Sequence, residues 1–293
     1  MIGRPRWSVL PWCWLAALLA AGGGAARAAL PPPCEALAGA QRELALGLLA
    51  SEHPYDCCDG TIAACLQEDP PCRLAWRLAE NVCRRAAEGQ DAERIRRALS
   101  RRARSMLPGG PPAQIDLKDS PAAGAADAPV QIAVYACARC PFCSRLVPKL
   151  HEVVTTGPLK GKARMQLRVF PIRDHEFSKE GGLAFLAAER QGRLWEFVLH
   201  AYANFDRFRV EDLPAWAEAV GMKRDVFERD MADPVLRDAL VESKKEGLRN
   251  EVEVTPTVFL DGRKFLGDVT LEEIVDAAGE EYDNRKGETT GRP

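Results

Sequence analysis

This chain is short of histidine and carries no excess of either charge. Four of its 293 residues are histidine, and 40 Lys and Arg against 42 Asp and Glu leave a formal net charge of −2. Near-neutrality argues against nucleic acid or an anionic surface as the main partner. The histidines are scattered. His53 stands alone among the early cysteines, while His151, His175 and His200 have no evident partners at ligand spacing and read as surface or structural residues. Beyond the first thirty residues no segment is long and uncharged enough to span a bilayer, which takes ~20 apolar residues. Neither an internal repeat nor an extended low-complexity tract occurs.

Cysteine, by contrast, is plentiful: there are ten. Arg4 and Arg6 precede an apolar stretch running from near Val9 to Ala21, and Ala26-Arg27-Ala28 offers a small-x-small cleavage site. Residues 1–28 therefore read as a secretory signal peptide, removal of which would start the mature chain at Ala29 and discard Cys13. Cys34, Cys57, Cys58, Cys65, Cys72, Cys83, Cys137, Cys140 and Cys143 would remain. So many cysteines in an exported, periplasmic or secreted protein imply disulfides, because that compartment is oxidising.

A composition break at Leu107-Pro108-Gly109-Gly110-Pro111-Pro112 reads as a linker over 107–112. Before it, residues 34–106 form a helical, cysteine-rich domain. One helix is expected over 34–50 with Leu37, Leu44 and Leu48 at helical spacing. A short one starts at Asp59 or Thr61, and two more cover 72–87 and 91–106. This unit is below the size at which an apolar core alone suffices, so cross-links would supply what the core lacks.

After the break, strands alternate with helices over 113–283, which argues a mixed α/β sheet. Ile115–Leu117, Val130–Ala136 and the alternation of Met165, Leu167 and Val169 read as strands. Residues 257–260 and 264–266, separated by Asp261-Gly262-Arg263, read as a terminal hairpin. Thr270 to Tyr282 reads as a closing helix with a capping start. Residues 174–250 are helical throughout, a block inserted between the halves of the sheet domain, and 284–293 read as a disordered tail.

The most informative stretch is Cys140-Pro141-Phe142-Cys143. It follows an apolar strand and opens a helix, the context in which CxxC reads as a redox pair. A helix N-terminus stabilises a thiolate on the first cysteine, and the second lies one turn on, close enough to attack a mixed disulfide. A zinc site would need a second CxxC or a Cys/His pair, and none follows.

These features resemble the DsbA-like branch of the thioredoxin superfamily over roughly residues 113–282. Asp119-Ser120-Pro121 and Asp127-Ala128-Pro129-Val130 look like that family's lead-in to its central strand. Cys140-Pro141-Phe142-Cys143 matches its redox motif, and Pro148 sits where relatives kink the active-site helix. Trp195-Glu196-Phe197 looks like part of the insert. Val254-Thr255-Pro256-Thr257 matches the loop whose proline is cis in these proteins. The resemblance implies a thioredoxin-like fold with a helical insertion. It also implies thiol–disulfide exchange catalysed by Cys140 and Cys143 with no cofactor, and a substrate surface of Pro141, Phe142, Thr255 and Pro256. Its partners would be proteins or peptides with thiols or disulfides, and a membrane-bound or soluble redox partner. The direction of electron flow and the oligomeric state stay open.

Two departures from the pattern matter. Phe142 stands where strongly oxidising members place a histidine, which weakens thiolate stabilisation. Apolar Val134 stands where a buried acid often sits, which removes a proton acceptor for Cys143. Arg139, beside Cys140, would compensate in part by its charge.

The remaining cysteines admit a plainer and a sharper reading. Cys137 creates an overlapping Cys137-Ala138-Arg139-Cys140, whose first thiol could capture Cys140. Cysteine is so often simply buried that a half-buried strand-end residue is preferred. Cys34, Cys57, Cys58, Cys65, Cys72 and Cys83 suggest three disulfides, with Cys57 and Cys58 bonded to different elements. The run Arg84, Arg85, Arg94, Arg96, Arg97, Arg101, Arg102 and Arg104 reads as a solvated helix face, since Ile95 and Leu99 form a buried stripe. Two other classes of function remain beside the enzyme: a non-catalytic binding or scaffold protein that kept the fold, and a metal-handling module.

Overall fold

Among the described residues the chain forms five helices before residue 107: α1 (Pro32–Glu35), α2 (Gly39–Ser51), α3 (Ile62–Cys65), α4 (Arg73–Ala87) and α5 (Ala92–Met106). The computed structural model describes residues 1, 3, 30–107, 109–118 and 120–287. The expected signal peptide with Cys13 and its cleavage site, apart from residues 1 and 3, lies outside them, as do Pro108, Asp119 and 288–293.

The helix expected over 34–50 is broken in two. The chain unwinds over 36–38, where Ala38 is fully extended (φ −135°, ψ 164°), and Gly39, a poor helix former, begins α2. Three disulfides tie these short elements together. Cys34 bonds Cys83 in α4, Cys57 bonds Cys72 at the start of α4, and Cys58 bonds Cys65 at the end of α3. Cys58 and Cys65 lie beside Glu68 in a group of ligand-type side chains, but both sulfurs are spent in their disulfide. A separate apolar core, with Leu48, Leu49, Ile62, Leu74, Leu78 and Ile95 buried, sits among the helices.

Beyond the linker come β1 (Val130–Ala136), α6 (Pro141–Thr155) and β2 (Ala163–Val169). The insert follows as α7 (Ser178–Arg190), α8 (Leu194–Ala203), α9 (Leu213–Ala219), α10 (Arg224–Ala232) and α11 (Pro234–Arg249). The chain then returns as β3 (Thr257–Leu260), β4 (Arg263–Lys264) and α12 (Leu271–Arg285). The sheet order is β2-β1-β3-β4; β1 runs parallel to β2, and β3 runs antiparallel to both β1 and β4. Because β1 is central, it is apolar and buried on both faces. Val130, Ile132 and Val134 face the core shared with α6 and α12, and Ala133 and Tyr135 face Phe170 and Phe259. Among the described residues no helix is long and apolar enough to cross a membrane.

Several local expectations are corrected. Ile115–Leu117 is not a strand: the Asp116 N–H donates to the Glu246 carboxylate (2.8 Å) instead of a neighbouring strand. The hairpin turn is Asp261-Gly262, both at positive φ, so β4 starts at Arg263 and ends by Lys264. The closing helix runs on to Arg285, past Tyr282, and takes up the first two residues expected in a disordered tail.

Only half of the arginine run is a solvated face: Arg94, Arg96, Arg97 and Arg104 are exposed, while Arg84, Arg85, Arg101 and Arg102 turn to acidic partners. α4 and α5 lie against α12, which presents Glu273, Asp276, Glu280 and Asp283. Arg77 reaches Asp276 (2.8 Å) and Asp283 (2.6 Å), Arg84 and Arg85 reach Glu273 (2.8 and 3.0 Å), and Arg101 reaches Asp268 (2.7 Å). Arg102 is buried against Glu280 (2.7 Å), which also accepts from the Tyr55 hydroxyl (2.5 Å). Helical periodicity identified the buried stripe but not the acidic partner helix nearly two hundred residues away.

Candidate active site

Cys140 is the N-cap residue of α6, with Pro141 at the first helical position and Cys143 one turn in. Proline fits there because it lacks an N–H the helix could not use and its fixed φ suits the first turn. β1 delivers the chain to this point. Its last residue, Ala136, leads into a tight turn in which the Cys140 N–H donates to the Cys137 carbonyl (3.1 Å). Gly181 of α7 passes so close to this turn that a Cβ there would come within 2.6 Å of the Ala138 methyl, so only glycine lets α7 pack against it.

The Cys140 sulfur donates to the Thr255 carbonyl oxygen at 3.1 Å. Thr255–Pro256 is a cis peptide, and the Thr255 hydroxyl oxygen is buried without a hydrogen-bond partner. Four expected site residues thus surround one sulfur: Cys143 and Thr255 touch it, Pro141 is exposed above it, and Pro256 is half-buried beside Thr255. Phe142 and Val254, next along the chain to these residues, are 63% and 67% exposed, whereas Cys140 itself is 1% exposed.

Electrostatics distinguish the two thiols. A hydrogen bond from Cys143, helped by the N–H groups of Cys143 and Phe142 and opposed by burial, brings the Cys140 thiol down to about 5. Burial and the Cys140 charge push Cys143 well above the ordinary thiol range. The loss of a histidine between the cysteines is therefore offset by the second thiol and the helix N–H groups. The expected help from Arg139 does not occur. Its guanidinium donates to the Phe205 carbonyl (2.7 Å) and lies over the Phe205 and Phe208 rings at 4.5 and 4.6 Å.

Val134 is buried in the β1 core. The nearest buried acid network, Glu246 with Tyr135 and Arg168, sits with α11 on the opposite face of the sheet. Two groups missed in the sequence stand by the thiols instead. The buried Tyr202 hydroxyl donates to the Cys137 carbonyl (3.1 Å). His175 Nδ1 lies 3.4 Å from the Cys137 sulfur, so His175 does have a partner. His151 and His200 stack on Trp195 and Trp216, structural contacts both. No spacing pattern links positions 38 or 65 residues apart.

A family model described as thioredoxin matches residues 116–278. Two solved structures share the fold. BdbD from Bacillus subtilis, in its oxidised form, superposes with a TM-score of 0.51 at 16% identity over 59% of this chain and 97% of that one. The α-DsbA1 protein of Wolbachia pipientis superposes with a TM-score of 0.51 at 19% identity over 59% and 96%. Among curated proteins, the Na+/H+ antiporter NhaA 3 of Salinispora tropica is 29% identical over 187 residues, 61% of this chain and 28% of that protein. NhaA 1 of Salinispora arenicola is 29% identical over 152 residues, 52% of this chain and 23% of that protein. The chain spans about a quarter of the length of these curated relatives.

Proposed function

The chain belongs to the thioredoxin family, and from that premise we propose that it is an exported protein thiol–disulfide oxidoreductase acting through Cys140 and Cys143. The observation that carries this reading is the Cys140 sulfur at the head of α6, donating to the Thr255 carbonyl beside the cis Thr255–Pro256 peptide. As a thiolate, Cys140 attacks a client disulfide and leaves a mixed disulfide. In the oxidised pair, its sulfur is instead attacked by a client thiolate. Either way, Cys143 resolves the mixed disulfide. Exposed Pro141, Phe142 and Val254 offer apolar contact to an extended client segment, with half-buried Pro256 beside them and Thr255 buried.

A thiolate stabilised to about 5 favours the reduced pair, which makes the oxidised pair a good acceptor of client electrons. Net oxidation of client dithiols is the direction this supports. The expected leader over 1–28 and three disulfides ahead of the linker support a periplasmic or secreted location. The same reading divides the chain at 107–112 into a disulfide-bonded helical domain and a catalytic domain. The test is refolding of a reduced, scrambled client protein with wild type and Cys140→Ser. Loss of the activity in the variant is expected, whereas undiminished activity would leave only a binding or scaffold role.

A further inference from the structure

Cys137 is surrounded unlike an ordinary buried cysteine. Its sulfur lies 3.4 Å from His175 Nδ1 and accepts the Arg139 N–H at 3.4 Å. Burial outweighs these contacts and holds the Cys137 thiol above its ordinary range, so its proton needs an acceptor beside it. With the His175 proton on Nε2, Nδ1 accepts from the thiol. His175, Ile172 and Ser178 also line an open cleft of about 670 Å³, which gives the imidazole access to water.

The other side of Cys137 faces the redox pair. Its carbonyl accepts the Cys140 N–H, a four-residue turn that holds the two Cα atoms within about 7 Å. Disulfides form at Cα separations of roughly 4.4–6.8 Å. Cys140 is therefore flanked by a thiol three residues on each side. Among the described groups a base stands beside only one of them: His175 beside Cys137, with Val134 where Cys143 would need an acid.

The geometry points to Cys137 as a second resolving thiol for Cys140, with His175 as its proton acceptor. This rests on Cys140 being the client-attacking sulfur. From a mixed disulfide, the Cys137 thiol gives its proton to His175 and its sulfur attacks the Cys140 sulfur. The Cys137–Cys140 bond forms, the Cys140–client bond breaks, and the client leaves as a thiolate that takes up a proton. From the oxidised pair, the same attack exchanges Cys140–Cys143 for Cys137–Cys140 and frees the Cys143 thiol. One disulfide is present before and after, so no external oxidant enters either step.

Trypsin separates the alternatives, because cleavage after Arg139 and Arg145 puts Cys137 in one peptide and Cys140 with Cys143 in another. The experiment mixes reduced Cys143→Ser and Cys137→Ser/Cys143→Ser proteins with oxidised glutathione and follows the Cys140–glutathione mixed disulfide by mass. In Cys143→Ser the mixed disulfide should decay at least about tenfold faster than in the double variant, leaving the two tryptic peptides joined by a Cys137–Cys140 bond. Adding His175→Asn to Cys143→Ser should slow that decay without changing the capture rate. Equal lifetimes in the single and double variants, with no joined peptides, overturn the assignment of Cys137 while leaving Cys140 as the attacking sulfur. Failure of the double variant, which keeps neither resolving thiol, to form the mixed disulfide overturns both.

Discussion

Arg102 and Glu280 lie 2.7 Å apart with side chains only 3% and 2% exposed, joining α5 to α12. Asp276 (3.1 Å) and the Tyr55 hydroxyl complete the cluster. The helical segment is thus clamped to α12, which packs in turn on β1 and on α6, the helix whose N-cap is Cys140 and which contains Cys143.

Removing Glu280 leaves the buried Arg102 with Asp276 alone and the Tyr55 hydroxyl without its acceptor. Glu280→Ala should therefore cost about 3–5 kcal/mol in denaturant unfolding. Arg102→Met with Glu280→Leu, which removes both charges and keeps the volume, should cost far less. Equal losses in the two proteins would mean that the pair is not the clamp.

The Cys34–Cys83 disulfide closes a separation of 49 residues between α1 and α4. Replacing both cysteines by serine should destabilise the helical segment by about 2–4 kcal/mol. The check is the urea midpoint of the non-reduced protein, which should fall in the variant.

Cys140 titrates at about 5 when folded and near the ordinary thiol value of 9.0 when unfolded. A depressed folded value stabilises the reduced fold above the unfolded value, and that contribution fades as pH falls towards 5. Reduced protein should therefore gain stability relative to oxidised protein as pH rises from about 5 to 9. Iodoacetamide alkylation of Cys140 should rise to half its plateau near pH 5. In Cys143→Ser the thiol donor becomes a hydroxyl, and Cys143→Ala removes it entirely, so the alkylation midpoint should move upward in the alanine variant.

Phe142 is 63% exposed, with the Arg145 guanidinium over its ring at 5.1 Å. Its ring offers apolar area to a client and takes no part in electron transfer. Phe142→Ala should raise KM for a peptide disulfide several-fold with kcat little changed; a fall in kcat alone would refute this role.

What could be read in the sequence was whatever depends on neighbours along the chain. Cys140-Pro141-Phe142-Cys143 was legible because a strand, a turn and a helix start follow one another within about twenty residues. The β2 alternation and the capped start of α12 were legible for the same reason. Thr255–Pro256 beside Cys140 was expected only through resemblance to known proteins. Contacts chosen by packing stayed hidden: His175 beside Cys137, Tyr202 on the Cys137 carbonyl, and Arg102 against Glu280, 178 residues apart. Arg139 went astray for a different reason. Adjacent in sequence to Cys140, it turns instead to the faces of Phe205 and Phe208, which a helical insert brings to it.

The most direct test is the equilibrium of the purified protein with glutathione buffers of graded poise, read as the mass of the tryptic 140–145 peptide. A Cys140–Cys143 disulfide should form and break within that range, at a potential well above the about −270 mV of thioredoxin. A pair that stays dithiol throughout, or one that balances at or below about −270 mV, contradicts the account.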